Sequence, residues 1–388
     1  MGIKKVDNLQ RVINNINKYA GLIDEENINI MEVCGTHTNS IAKYGINSVI
    51  SNKINLLSGP GCPVCVTNEE YIDEAVYLSS KDVTIVTFGD LVKVSGNNCS
   101  LSMAKSRGRD IRIVYSISQV VSIAKDMYPK EVVFLAVGFE TTAPAIATII
   151  KKVYEEKINN LSLLTSIKIM PPILHKILSS KHKKIHGIIC PGNVAVIGGV
   201  DRFKFIYQKY KIPAVICGFE GEEILASIYF LIRDIYKKDE NKSQIGFENL
   251  YRKWASPQGN KLAQNLIRDV FNIEDVVWRG IGNVRNSALT IKDKYSTIDA
   301  AKRFGLQEYF NEKSYRDRYL VKDSFSNEHK ACTNDYKACK CKDVLLGNIY
   351  PFQCGLFRKV CNPEKPLGPC MVSEEGACAI YYKYHIEV

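Results

Sequence analysis

The chain has 388 residues, long enough for two or three domains around a substantial core, and its 46% hydrophobic and 24% charged residues exclude a largely disordered polypeptide. Its longest apolar run, from Val132, is broken by Glu140 short of a membrane span, and no leader-like apolar stretch follows Lys4 and Lys5, so a cytoplasmic protein is expected. The net charge of +11 lies on scattered basic residues such as Lys181-His182-Lys183-Lys184, without the aromatic interleaving of a nucleic-acid surface.

In chain order, apolar residues at helical spacing predict an amphipathic helix over 8–22. Eight short β-branched runs follow, each ending in a turn: Ile28–Val33, Ile54–Leu57, Val83–Phe88, Ile111–Tyr115, Val132–Val137, Leu161–Ser166, Gly187–Ile189 and Ala214–Ile216. Helical patterns such as Glu69–Ser79, Ser118–Asp126 and Ala143–Glu156 separate them, which argues for an α/β fold with parallel sheets covered by helices. Three strand ends look alike: Thr87-Phe88-Gly89-Asp90, Val137-Gly138-Phe139-Glu140 and Cys217-Gly218-Phe219-Glu220. They suggest two similar domains with a four-stranded, mainly parallel sheet each, over 1–120 and 121–237. Ligands of such sheets sit beyond the strands' carboxyl ends, in a cleft. From 238 to 388 a third, α-rich and Cys-rich domain is expected, mainly helical and polar over 238–275, with Trp278-Arg279-Gly280-Ile281-Gly282 as a strand or turn.

Seven of the thirteen cysteines fall in the last 57 residues, and in a reducing compartment clustered thiols point to metal or redox chemistry. In Met31-Glu32-Val33-Cys34-Gly35-Thr36-His37-Thr38, Cys34 stands at a strand end facing the cleft. His37 and free backbone N–H groups there would favour the thiolate. The alternative is an inert buried Cys34 with His37 bonded to backbone. Gly59-Pro60-Gly61-Cys62-Pro63-Val64-Cys65 is a tight turn leading towards a helix, with two thiols spaced for a disulfide or for chelation. With Cys34 they make three soft ligands, an incomplete metal shell open to an outside ligand. In Gly138-Phe139-Glu140-Thr141-Thr142-Ala143-Pro144 the Thr hydroxyls and Pro144 read as a helix start, and Glu140 as a cleft-facing proton carrier or polar clamp. Cys190 and Cys217 read as buried small hydrophobes.

The terminal array is Cys339, Cys341, Cys354, Cys361, Cys370 and Cys378. Its spacings lack the Cys pairs of structural zinc sites, whereas an iron–sulfur cluster tolerates varied spacing and takes four thiolates. That leaves two for a redox-active dithiol, and the segment has little apolar material of its own to hold it together.

Together with Pro191-Gly192-Asn193-Val194-Ala195-Val196-Ile197-Gly198 and Gly368-Pro369-Cys370-Met371-Val372-Ser373-Glu374-Glu375-Gly376-Ala377-Cys378, these motifs run in the order of the HypD family of [NiFe]-hydrogenase maturation proteins, which the chain resembles from Cys34 to its C-terminus. The resemblance implies a scaffold for the Fe(CN)₂CO unit. Cys34 would hold the iron jointly with the small chaperone HypC, Cys62 and Cys65 would be the other essential central cysteines, and HypE would hand over cyanide. It further implies a [4Fe-4S] cluster with a neighbouring disulfide, mapped onto Cys339, Cys354, Cys361 and Cys378 as ligands and Cys341 with Cys370 as the dithiol. His37 and Glu140 are then candidates for moving protons. Asn348–Gln353 and Gly355 depart from the family's usual surroundings of Cys354, and Cys99 and Cys332 belong to no motif of the family. Two rival classes remain: a stand-alone iron–sulfur disulfide reductase acting through Cys62 and Cys65, and a zinc-stabilised interaction module.

Overall fold

A computed structural model describes residues 2–386 apart from 98, 181–183, 241, 243, 244 and 307–337. Cys332 and the run 181–183 therefore lie outside the described residues. The first helix, α1, spans Gly2–Leu22. All eight expected strands form, as β1 (Ile28–Glu32), β2 (Ile54–Ser58), β3 (Val83–Thr87), β4 (Ile111–Ile113), β5 (Glu131–Gly138), β6 (Leu161–Lys168), β7 (Gly187–Pro191) and β8 (Ala214–Cys217).

Within 238–275 the helix Lys261–Val270 forms as expected, but β9 (Phe247–Asn249) and the start of β10 (Phe271–Trp278) correct the mainly helical reading, and β11 (Gly282–Ile291) follows. β10 is an edge strand with most of its side chains in solvent, so its Asn, Glu and Asp break the apolar run that betrays a buried strand. The segment Arg279–Ile281 is the turn of the β10–β11 hairpin.

Strands pair as β2-β1-β7-β8-β9, all parallel, and as β10-β11-β6-β5-β3-β4, parallel except where β11 meets β10 and β6. The expected consecutive sets of four are thus corrected. The chain lays down β1 and β2, builds β3–β6 into the other sheet, returns for β7–β9 and leaves again for β10 and β11. Segments 1–120, 121–237 and 238–388 do not each keep a sheet of their own. Of the three look-alike strand ends, two belong to neighbouring strands of one sheet, β3 and β5. Parallel neighbours are joined by crossovers, so a strand's own pattern carries no trace of which sheet receives it.

Alternation along the strands sends side chains to two faces. Met31, Leu57 and Ile188 from one sheet share a central core with Ile85, Val133 and Leu135 from the other. On the outer faces, Ile28, Ile30 and Val215 pack with Ile16 of α1 and Leu231 of the helix Gly221–Asp239, while Phe134 and Leu163 meet Ile146 and Ile150 of the helix Ala143–Glu155. The described part of the Cys-rich tail is mostly short helices and turns; its helix Ala377–Lys383 packs against the helix that follows β1. Among the described residues, no helix is long and apolar enough to cross a membrane.

Candidate functional site

The site begins where β1 ends. Cys34 is the N-cap of α2 (Gly35–Lys43), with extended backbone angles. Glu32, the last residue of β1, is fully buried; its Oε2 accepts from the Cys34 N–H at 2.9 Å and its Oε1 from the Thr38 hydroxyl. One carboxylate thereby ties the strand end to the first turn of α2. Burial raises the Glu32 pKa to about 7 despite these bonds.

Cys34 keeps a partly exposed side chain, yet its sulfur sits deep enough for burial first, and the Glu32 charge second, to push the thiol up to about 11. The expected thiolate-favouring surroundings are therefore corrected: the neighbouring charge is negative. His37 is 0% exposed, hydrogen-bonded through Nε2 to the Gly218 carbonyl at 2.9 Å and stacked on Phe219. Burial lowers its pKa to about 4, so at neutral pH it is an uncharged strut between the β1 and β8 ends.

Cys62 is the N-cap of α3 (Pro63–Val66), its sulfur accepting from the Cys65 N–H at 3.1 Å. The two cysteines are joined in a disulfide with 5.3 Å between their Cα atoms. At 2% and 0% exposure they lie in the central core rather than along an open cleft, because the tail covers them. Cys34 and this turn are nonetheless adjacent. A side chain at Gly61 would strike the Cys34 backbone, and one at Gly35 would strike Glu375. Glycine is what lets three chain segments meet at this point.

The tail lies across the same turn. The Cys65 sulfur is 3.7 Å from the Pro369 carbonyl, and the next residue, Cys370, is disulfide-bonded to Cys341 with a Cα separation of 6.2 Å. Ser373 donates to Asp90 at 3.0 Å, which fastens the tail to the sheet containing β3. Cys339, Cys354, Cys361 and Cys378 are free thiols lining one small cavity together with that disulfide. Burial and the three other thiols drive the Cys378 pKa well upward. The Cys339 sulfur sits 2.5 Å from where a side chain at Gly368 would begin. Among the described residues, no three His, Cys, Asp or Glu side chains form a single-ion site. Four thiols around a cavity suit a group with several metal atoms better than one ion.

Glu140 is buried, its Oε1 accepting from the Met170 N–H at 2.9 Å, at the start of the helix Met170–Ser179. Burial raises its pKa, and the charge of Arg202 opposes that rise. Its partners are thus a helix end and an arginine. The expected Thr cap fails: Thr142 adopts helical angles and makes no side-chain cap, although Pro144 sits in the first turn. Cys190 and Cys217 are 0% exposed, as read from the sequence.

Sequence reasoning missed Glu32 and Arg279. Arg279 donates its backbone N–H to the Val66 carbonyl at 3.0 Å, pairs through Nε with Glu69 at 2.9 Å and donates to the Ser95 carbonyl at 2.8 Å. Burial raises the Cys339 pKa, and the Arg279 charge offsets a small part of that rise. The signal was present, an acid two residues before Cys34 and an arginine in a Gly-rich turn, but neither spacing says what it touches.

Residues 7–385 match the HypD family model, described as the hydrogenase formation hypA family. The chain is 37% identical over 376 residues to the putative hydrogenase expression/formation protein of Methanocaldococcus jannaschii, covering 97% of each. It is 34% identical to the hydrogenase maturation factor HypD of Rhodobacter capsulatus, over 94% of this chain and 91% of that one. To HypD of Escherichia coli it is 34% identical, over 93% and 90% respectively.

Proposed function

Because the chain belongs to the HypD family of hydrogenase maturation factors, we propose that it is a scaffold on which the Fe(CN)₂CO unit of [NiFe] hydrogenase is assembled, with Cys34 as its ligand to the iron. The observation that supports this reading is the meeting of three cysteine motifs at one point: Cys34 against the Gly61–Cys62 turn, and Cys65 against Pro369–Cys370. Thiolate is a suitable soft donor for iron carrying cyanide and carbonyl. With its pKa near 11, Cys34 stays protonated until the incoming metal displaces the proton, which protects an empty site from stray oxidation. Its partial exposure leaves room for a second sulfur from HypC, and HypE would deliver the cyanide.

The four tail thiols fit a [4Fe-4S] cluster in number, in softness and in their ring around a cavity. When bound, such a cluster would supply electrons one at a time. The residues of the chain do the rest. A reduced Cys341/Cys370 pair would attack the Cys62–Cys65 disulfide by thiol exchange, passing two electrons inward and keeping the iron site reduced, a reading supported by the contact of Cys65 with Pro369, the residue before Cys370. Replacing Cys34 by Ala tests the scaffold reading: cyanide and carbonyl infrared bands on the purified complex should disappear, and their survival sinks the assignment.

The neighbouring disulfides also favour a second reading, a stand-alone disulfide reductase. It requires turnover of a disulfide substrate in the absence of HypC. Anaerobic purification with metal analysis separates both from a zinc module, which would be colourless.

A further inference from the structure

A buried lysine stands behind the Cys62–Cys65 turn. Lys168 closes β6 with 1% of its surface exposed, and its ammonium donates to the Ser166 hydroxyl at 3.1 Å. Among the described residues, no carboxylate pairs with it. Ser166 lies two positions earlier on the same strand face, 3.2 Å from the Thr67 hydroxyl. Thr67 in turn donates to the Pro63 carbonyl at 2.9 Å. Since Thr67 spends its proton on Pro63, and the Lys168 ammonium can only donate, Ser166 must accept from Lys168 and donate to Thr67. The chain of donors therefore has one direction, from the cation to the Pro63 carbonyl, inside the Cys62–Cys65 turn.

A desolvated ammonium with a single hydroxyl partner is unfavourable by itself. Burial lowers its pKa to about 8, which still leaves it mostly charged at neutral pH. Such a charge is compensated when a negative one arises nearby, and hydrogen bonds in series polarise one another along the chain. The negative charge that the neighbouring chemistry creates is a thiolate at Cys62 or Cys65.

We propose that Lys168 is a positioning residue for the Cys62–Cys65 couple, its charge relayed through Ser166 and Thr67 to stabilise the thiolate formed when that disulfide is reduced. The inference rests on the redox reading of this pair. An attacking dithiol breaks the Cys62–Cys65 bond, gives two electrons to those sulfurs and closes into its own disulfide. The first sulfur leaves as thiolate and remains one, the species the charge favours; of the attacking dithiol's two protons, one ends on the other sulfur and one passes to solvent. Lys168 thus makes the couple more oxidising.

The test uses the full-length chain, purified anaerobically and equilibrated in buffers of reduced and oxidised dithiothreitol. Alkylation and mass spectrometry then count disulfide against dithiol. Lys168→Met should shift the equilibrium towards disulfide by at least tenfold, about 30 mV for a two-electron couple. Lys168→Arg should stay within twofold of the wild type. A Met variant within twofold of wild type, or Arg and Met variants that shift alike, overturns the proposal, since a merely structural lysine alters melting and not this equilibrium. Should the Met variant not fold, Ser166→Ala decides: it keeps the charge and breaks the relay, so a shift of threefold or more is expected and no shift overturns the proposal. A wild-type chain with no transition overturns the redox reading itself and this inference with it.

Discussion

The sulfur of Cys65 lies 3.7 Å from the carbonyl oxygen of Pro369, although 304 residues separate them in sequence. Pro369 precedes Cys370, so this contact brings the Cys62–Cys65 disulfide beside the Cys341–Cys370 disulfide. Under the proposed redox reading, two disulfides packed side by side would carry electrons from the tail to the inner pair.

Replacing Cys341 by Ser should interrupt that path. We expect the two-electron reduction of Cys62–Cys65 by dithionite in the iron-loaded protein to slow at least tenfold, with dithiothreitol still able to reduce the pair. Alkylation and mass spectrometry read both rates, and equal dithionite rates in the two proteins contradict the path.

His37 should make the fold acid-sensitive. Its folded pKa of about 4 lies below the 6.5 of an unperturbed histidine, so it supports folding fully above pH 6.5, and the support is lost as pH falls through 4. The difference corresponds to about 3 kcal/mol for a wholly buried ring. His37→Gln keeps a donor for Gly218 and cannot charge. Urea midpoints between pH 7 and pH 4 should fall more steeply for the wild type than for the variant; parallel curves refute this.

Gly61→Ala and Gly368→Ala separate the two sites. The first drives a methyl into the Cys34 backbone and the second into the Cys339 sulfur. Each should cost about 1–3 kcal/mol by overpacking. Only Gly368→Ala should reduce the iron retained by the tail, measured per chain after anaerobic purification.

Arg279→Met removes the Glu69 ion pair and the bond to Ser95. With the guanidinium largely buried and Glu69 partly exposed, a loss of about 2 kcal/mol is expected in urea unfolding. The Cys339 thiol also loses the charge that eases its ionisation, so iron–sulfur reconstitution should slow. Unchanged reconstitution would show that the arginine serves stability alone.

Much of the candidate site was legible because its motifs are local. Gly-Pro-Gly turns, paired cysteines and strand ends are written in a few consecutive residues, and they placed Cys34 at the end of β1 and Cys62 and Cys65 in a turn ahead of a helix near Asn68, though not that the turn is itself the short helix α3. The roles of His37 and Glu140 were less legible, because a titratable side chain's behaviour depends on what surrounds it. His37 meets Gly218 and Phe219, and Glu140 meets Met170, all distant in sequence or across a crossover.

The amino-acid order alone settled the eight first strands, the helices between them and the family, since alternation, turn residues and motif spacing are properties of neighbours along the chain. Folding decided which strands share a sheet, with β1 beside β7 rather than β3, and which sulfurs stand together. Those outcomes follow from crossovers and close packing between segments hundreds of residues apart, and no short stretch of sequence encodes a distance between two others.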